Sequence, residues 1–196
     1  MDALLAPVTA AMQDGRFDEV ATSLDEAELH DPSAFSMERW PHALHLLAHI
    51  YAARLEDARF VYKRTPDPIK QASPELQAAF ALLQRLWVKD YQHIWTAMQY
   101  GWSAQTQPLV AALAQQTRVQ MLDLVERAYD SISPTKLAAL LGCTEAEAAQ
   151  AAAERGWQTT GGLVDVKPPQ PTVRPGEAAA QRSLQRLAEY VVHLET

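Results

Sequence analysis

The sequence predicts a mostly α-helical protein: a helical-repeat region of the tetratricopeptide or HEAT kind, then a winged helix, then one C-terminal helix. Three observations carry this expectation. Apolar residues recur at helical spacing through most of the first 130 positions, a short motif returns at separations of 38 and 36 residues, and a helix–turn–helix–hairpin pattern runs from Ile132 to Val166. Composition agrees, because 48% hydrophobic residues with only seven glycines favour helices around a sizeable core.

In chain order, helical spacing marks segments near 2–13, 17–29, 37–52, 56–64, 74–86, 91–99 and 105–130. Ser36 before Met37 and Ser73 before Pro74 read as helix starts; Asp31-Pro32, Pro66-Asp67-Pro68 and Gly101 read as breaks. RFDEV (Arg16 to Val20), RLEDA (Arg54 to Ala58) and DYQHI (Asp90 to Ile94) each place a large apolar residue three positions before a smaller one. Such a period belongs to helix-pair solenoids, in which each unit buries its face against its neighbours. An irregular helical bundle satisfies the same spacing. The expected repeat region is residues 1–130.

Residues 131–166 form the expected winged helix. Ser133-Pro134 places an N-cap ahead of a proline at the first helical position, where a missing N–H costs nothing. Thr144 with Glu147 three residues on reads as a capping box. Gly161-Gly162 supplies the positive φ angles of a two-residue hairpin turn. A duplex-reading helix gains phosphate contacts from Lys and Arg, yet the second helix here carries Glu145, Glu147 and Glu154 against Arg155 alone. Together with a net charge of −7, this argues against nucleic acid and anionic membrane as partners and in favour of protein. Nothing approaches the roughly 20 apolar residues of a membrane span, and the opening MDALLAPVTA lacks the basic start of a secretory signal. An intracellular location is expected from these features. The single cysteine, Cys143, leaves no internal disulfide and no cysteine metal cluster.

Residues 167–176 are a proline-rich linker, and residues 177–196 are the expected assembly helix. Ala180, Leu184, Leu187, Val191 and Leu194 follow one another at spacings of four, three, four and three, a two-heptad seam. Two heptads bury too little to hold a dimer in water, so the helix needs partners or folds back on its own chain.

Catalytic patterns are sparse. His42, His45 and His49 share neighbouring parts of one helix face, as zinc ligands do, but they lack an HExxH glutamate and a downstream ligand at telling spacing. No phosphate loop, dinucleotide fingerprint or nucleophile elbow is present. Trp40, Trp87, Trp95, Trp102 and Trp157 come without the basic groove of a single-strand binder, so they read as packing residues. The expectation is no catalytic residue, no metal and no cofactor.

The runs WPHALHLLAHIY (Trp40 to Tyr51), ARFVYKRTP (Ala58 to Pro66) and LQRLAEYVVHLE (Leu184 to Glu195) resemble the small PCI-domain proteins. That family has members in the COP-nine signalosome, the proteasome lid and translation initiation factor three. The first two runs fix the superfamily, whereas the ending and the overall length are most similar to its signalosome members. The resemblance implies a non-catalytic scaffold subunit of a complex that removes a ubiquitin-like modifier from cullin ubiquitin ligases. It also implies sister PCI subunits as partners, joined through a wing strand at Leu163, Val164, Asp165 and Val166 and through the C-terminal helix. A two-stranded ribbon has an unpaired edge that can accept a neighbouring chain's strand. Assembly into the lid or the initiation factor, and duplex binding by the winged helix, remain the alternatives.

Overall fold

The computed structural model describes residues 4–166. Eleven helices and three short strands follow in the order α1 (Ala6–Gln13), α2 (Phe17–His30), α3 (Pro32–Phe35), α4 (His42–Tyr51), α5 (Leu55–Arg64), α6 (Asp67–Ala72), α7 (Pro74–Val88), α8 (Tyr91–Met98), α9 (Gln107–Ala128), β1 (Ser131–Ile132), α10 (Pro134–Leu141), α11 (Glu145–Glu154), β2 (Gln158–Thr160) and β3 (Leu163–Asp165). The protein is mostly helical, as its sequence predicts.

The repeated motif has a structural meaning. It marks the second helix of three helix hairpins: α1 with α2, α4 with α5, and α7 with α8. Each turn holds one residue in the left-handed region, Gly15 at φ +71°, Ala53 at +58° and Lys89 at +58°. The next residue has almost the same backbone each time, φ/ψ of −85/64 at Arg16, −95/67 at Arg54 and −80/72 at Asp90. Its N–H bonds back five residues, Arg16 to Ala11 at 2.8 Å, Arg54 to His49 at 2.9 Å and Asp90 to Arg85 at 2.9 Å. These are Schellman closures, which satisfy carbonyls that a helix end leaves open. The motif's large residues, Phe17, Leu55 and Tyr91, pack against the core from a half-buried position, while Val20, Ala58 and Ile94 are sealed inside it. Size therefore falls where depth rises.

Helix α4 is the hub. Every residue from His42 to Ile50 is buried, and the helix touches α2, α5, α7 and α9. The contacts with α2, α5 and α7 are those a helix-pair solenoid supplies, whereas α9 lies beyond the adjacent hairpin, so the chain also closes onto α4 rather than only stacking in a row. The long α9 then runs on to touch α10, joining the hairpins to the C-terminal module.

Two expected breaks turn out to be short helices. Asp31 accepts from the Ser33 N–H and starts α3, and Pro66 precedes α6. In both, a proline occupies the first turn, where it initiates a helix as readily as it ends one. Conversely, α4 starts at His42 rather than near Met37, with Pro41 as its N-cap residue. The residue before a proline is pushed out of the α region, which Trp40-Pro41 imposes here.

Candidate functional site

The C-terminal module is built from the caps upward. Ser133 accepts from the Lys136 N–H and starts α10; Gly142, at φ +61°, ends it. Thr144 and Glu147 form the reciprocal capping box that starts α11. Gly161 and Gly162 turn the ribbon at φ +61° and +83°.

The sheet is not the expected two-stranded ribbon. Its order is β1-β3-β2, so β3 lies in the middle. Ser131 pairs with Asp165 and Ile132 with Val164 on one side; Gln158 pairs with Asp165, Thr159 with Val164 and Thr160 with Leu163 on the other. The strand Leu163, Val164, Asp165 and Val166 therefore has its backbone groups engaged within the chain, Val166 N–H reaching Asp130 O at 2.9 Å. This corrects the expected location of the open edge. The missed strand, Ser131–Ile132, is only two residues long, too short for a period-two signal.

The open edge moves to β2, whose Gln158, Thr159 and Thr160 are all exposed. Thr160 and Leu163 flank a two-residue turn, so they exchange hydrogen bonds with each other. Alternation then leaves Thr159 a non-bonded pair with Val164, and its N–H and carbonyl face outward. On the inner face Ile132, Val164 and Val166 are buried, while Thr159, beside Val164, stays exposed. An added strand would extend that face.

One junction fixes the module to the helical hairpins. The Trp95 indole lies against Gly142, and its Nε1–H donates to Leu140 O at 2.9 Å. The Arg118 guanidinium covers the same ring at 5.4 Å and donates to Leu141 O at 3.4 Å. Arg155 bonds Asp123 at 2.8 Å and Glu126 at 3.1 Å, tying the end of α11 to α9. The lone cation at the second helix is thus spent inside the chain. Glu145 accepts from Thr135 and Glu154 from Gln150, so the outer surface of α11 offers a duplex no positive charge. Cys143 is half-buried beside this junction, and burial, then the Glu147 charge, push its thiol above its ordinary pKa. It is a poor nucleophile.

The three histidines meet a partner that sequence spacing did not reveal, Asp25 on α2. His45 Nε2 lies 2.9 Å and His49 Nε2 3.0 Å from the same oxygen, Asp25 Oδ1. His42 instead bonds Phe35 O at 2.8 Å. These carboxylate and imidazole atoms are close enough to surround a metal ion. The tautomer opposes it. Trp40 Nε1–H donates to His45 Nδ1 at 3.3 Å, and an indole nitrogen can only donate. Nδ1 therefore carries the lone pair and Nε2 the proton, where a metal would need a lone pair. The group is a half-buried carboxylate that clamps two buried imidazoles between α2 and α4, with Arg54 3.8 Å from the other Asp25 oxygen. Burial holds all three imidazoles below their ordinary pKa. Burial pushes the Asp25 carboxyl up, but the His45 hydrogen bond and the adjacent His49 outweigh it, leaving it below the usual range. In sequence, the one sign of Asp25 was an acid bordering the apolar stripe Val20, Ala21, Leu24 and Ala27.

Ala180, Leu184, Leu187, Val191 and Leu194 lie outside the described residues.

Comparison with known proteins gives a consistent result. The model of the CSN8/PSMD8/EIF3K family matches residues 36–175. The chain is 34% identical to the COP9 signalosome complex subunit 8 of Arabidopsis thaliana, over 97% of this chain and 98% of that one. It is 34% identical to the subunit of the same name from Danio rerio, over 76% and 80% of the two chains. For the subunit from Xenopus laevis the identity is 31%, over 91% and 92%.

Proposed function

The chain belongs to the CSN8/PSMD8/EIF3K family, and from that premise we propose that it is a non-catalytic scaffold subunit of a COP9 signalosome. The observation that carries this reading is the end-to-end similarity to subunit 8 proteins, 97% of this chain aligned with 98% of the Arabidopsis thaliana protein. Similarity confined to one module would fit borrowing by another complex; similarity from end to end fits the same place in the same assembly.

In this reading the chain contributes architecture to a complex that removes a ubiquitin-like modifier from cullin ubiquitin ligases, and the reacting groups reside on another subunit. The module of residues 131–166 acts as a winged helix that meets sister PCI subunits edge to edge. The strand it offers is β2, through the outward N–H and carbonyl of Thr159, rather than β3. Backbone pairing supplies affinity and side chains such as the exposed Leu163 supply choice of partner. The seam Ala180, Leu184, Leu187, Val191 and Leu194 joins helices from the same sister subunits, where several faces together bury enough apolar surface. A cytoplasmic and nuclear location goes with this assignment.

Affinity capture of the tagged chain from cell extract, followed by peptide identification, tests it. Sister signalosome subunits in stoichiometric amounts are expected. Recovery of proteasome-lid or initiation-factor subunits instead would overturn the assignment, as would zinc-dependent cullin deconjugation by the purified chain alone.

A further inference from the structure

A second surface lies on the helical hairpins, away from the module. Along α7, Phe80, Leu83, Gln84 and Trp87 stand at i, i+3, i+4 and i+7, and with Val88 they line a groove of about 570 Å³ against α5. Trp87 and Val88 are 47% and 75% exposed and adjoin one another, and adjoining exposed apolar side chains, unlike scattered ones, mark interaction surfaces. Phe80 is anchored from below by stacking on Tyr62, so the groove has a fixed floor.

The charges around it are lopsided. Arg85 and Asp90 bond at 2.9 Å and cancel. Arg59, on α5, has its guanidinium 5.8 Å from the Trp87 ring centroid and makes no ion pair or hydrogen bond among the described residues. Lys89 stands exposed at the end of α7. A chain of net charge −7 thus presents, around this groove, an excess of positive charge. Tryptophan and arginine side by side are also the residue types that dominate binding energy at protein interfaces.

We propose that this groove docks an acidic amphipathic helix of a partner polypeptide, whose apolar face covers Trp87 and Val88 while a carboxylate on its flank pairs with Arg59. The helical spacing of the lining residues matches a helix laid lengthwise, and the unpaired guanidinium selects its sign. The site is separate from the β2 edge, so its failure leaves the assembly reading standing.

The test uses the full chain and two labelled 16-residue helix-forming peptides. Both carry leucines at three–four spacing; one has glutamate on the flanks and its twin has lysine. Fluorescence anisotropy at low salt should show the glutamate peptide binding at least tenfold more tightly than the twin. R59E should reverse that preference, and V88E should weaken both peptides while leaving the circular-dichroism melt unchanged, because Val88 is exposed. Equal affinities for the two peptides, or an unaltered preference in R59E, would overturn the proposal. So would a homodimer in sedimentation that V88E dissolves, which assigns the groove to a second copy. Binding that appears only after Leu184→Glu and Leu187→Glu would assign it to the chain's own C-terminal segment.

Discussion

Gly142→Ala is the substitution that most directly tests how the C-terminal module is held. Two separate penalties apply. At φ +61° any residue with a Cβ sits in the left-handed region, at about 1–2 kcal/mol. The new Cβ would also stand 2.2 Å from the Trp95 ring, far inside van der Waals contact. Trp95 cannot simply swing aside, because its indole is bonded to Leu140 O at 2.9 Å and covered by Arg118. Displacing it adds overpacking strain of about 1–3 kcal/mol and about 1 kcal/mol for the lost hydrogen bond. The sum is about 3–6 kcal/mol, a large share of the roughly 5–15 kcal/mol by which a domain is stable. The internal control is Gly161→Ala, at the same φ of +61° with nothing within 4 Å of its Cβ, where only the backbone penalty of about 1–2 kcal/mol applies. Urea unfolding of both variants, with parallel slopes, isolates the steric part. If G142A and G161A lose the same stability, the Trp95 contact does not hold the module, and the reasoning fails.

Thr159→Pro removes an outward N–H while sparing the β2–β3 bonds, so it should leave the melting temperature nearly unchanged yet lower recovery of sister subunits in affinity capture severalfold; undiminished recovery would clear β2 of any role. Asp25→Ala leaves the N–H groups of the buried His45 and His49 rings without their acceptor and should cost about 1–3 kcal/mol for each in urea unfolding, whereas Asp25→Asn keeps an oxygen there and should cost clearly less. His42, His45 and His49 have folded pKa values below their ordinary 6.5, so the stability they confer is complete above that value and is lost as pH falls below it. The depressed Asp25 adds a second loss below pH 3.8. The urea midpoint should therefore be flat from pH 8 to 7 and fall by pH 5.5, and His45→Gln should flatten that fall. Ala53→Gly relieves a left-handed alanine at φ +58° and should raise stability by about 0.5–1 kcal/mol, read as a higher urea midpoint.

What the sequence made legible was whatever is encoded locally. The capping box at Thr144 and Glu147, the cap at Ser133 and the Gly161-Gly162 turn each involve residues within four positions, and each stands in the structure as expected. The three copies of the hairpin motif were legible too, although their shared feature, one left-handed residue before the N-cap, was masked. Only the first copy has glycine there; Ala53 and Lys89 adopt the same backbone without announcing it.

The candidate site was harder because its facts are long-range. Which ribbon strand keeps an open edge depends on a two-residue strand some thirty positions upstream, since Ser131–Ile132 pairs with β3 and leaves β2 free. Alternation within Leu163–Val166 shows which side chains turn inward, but not which flank is already occupied. The same holds for the histidines. Their spacing places them on one helix, while the decision between metal ligand and hydrogen-bond donor rests on Trp40, which fixes a proton, and Asp25, which receives it, from outside that helix. Position along a chain limits which groups can meet; the lone pairs that remain after they meet decide what they can bind.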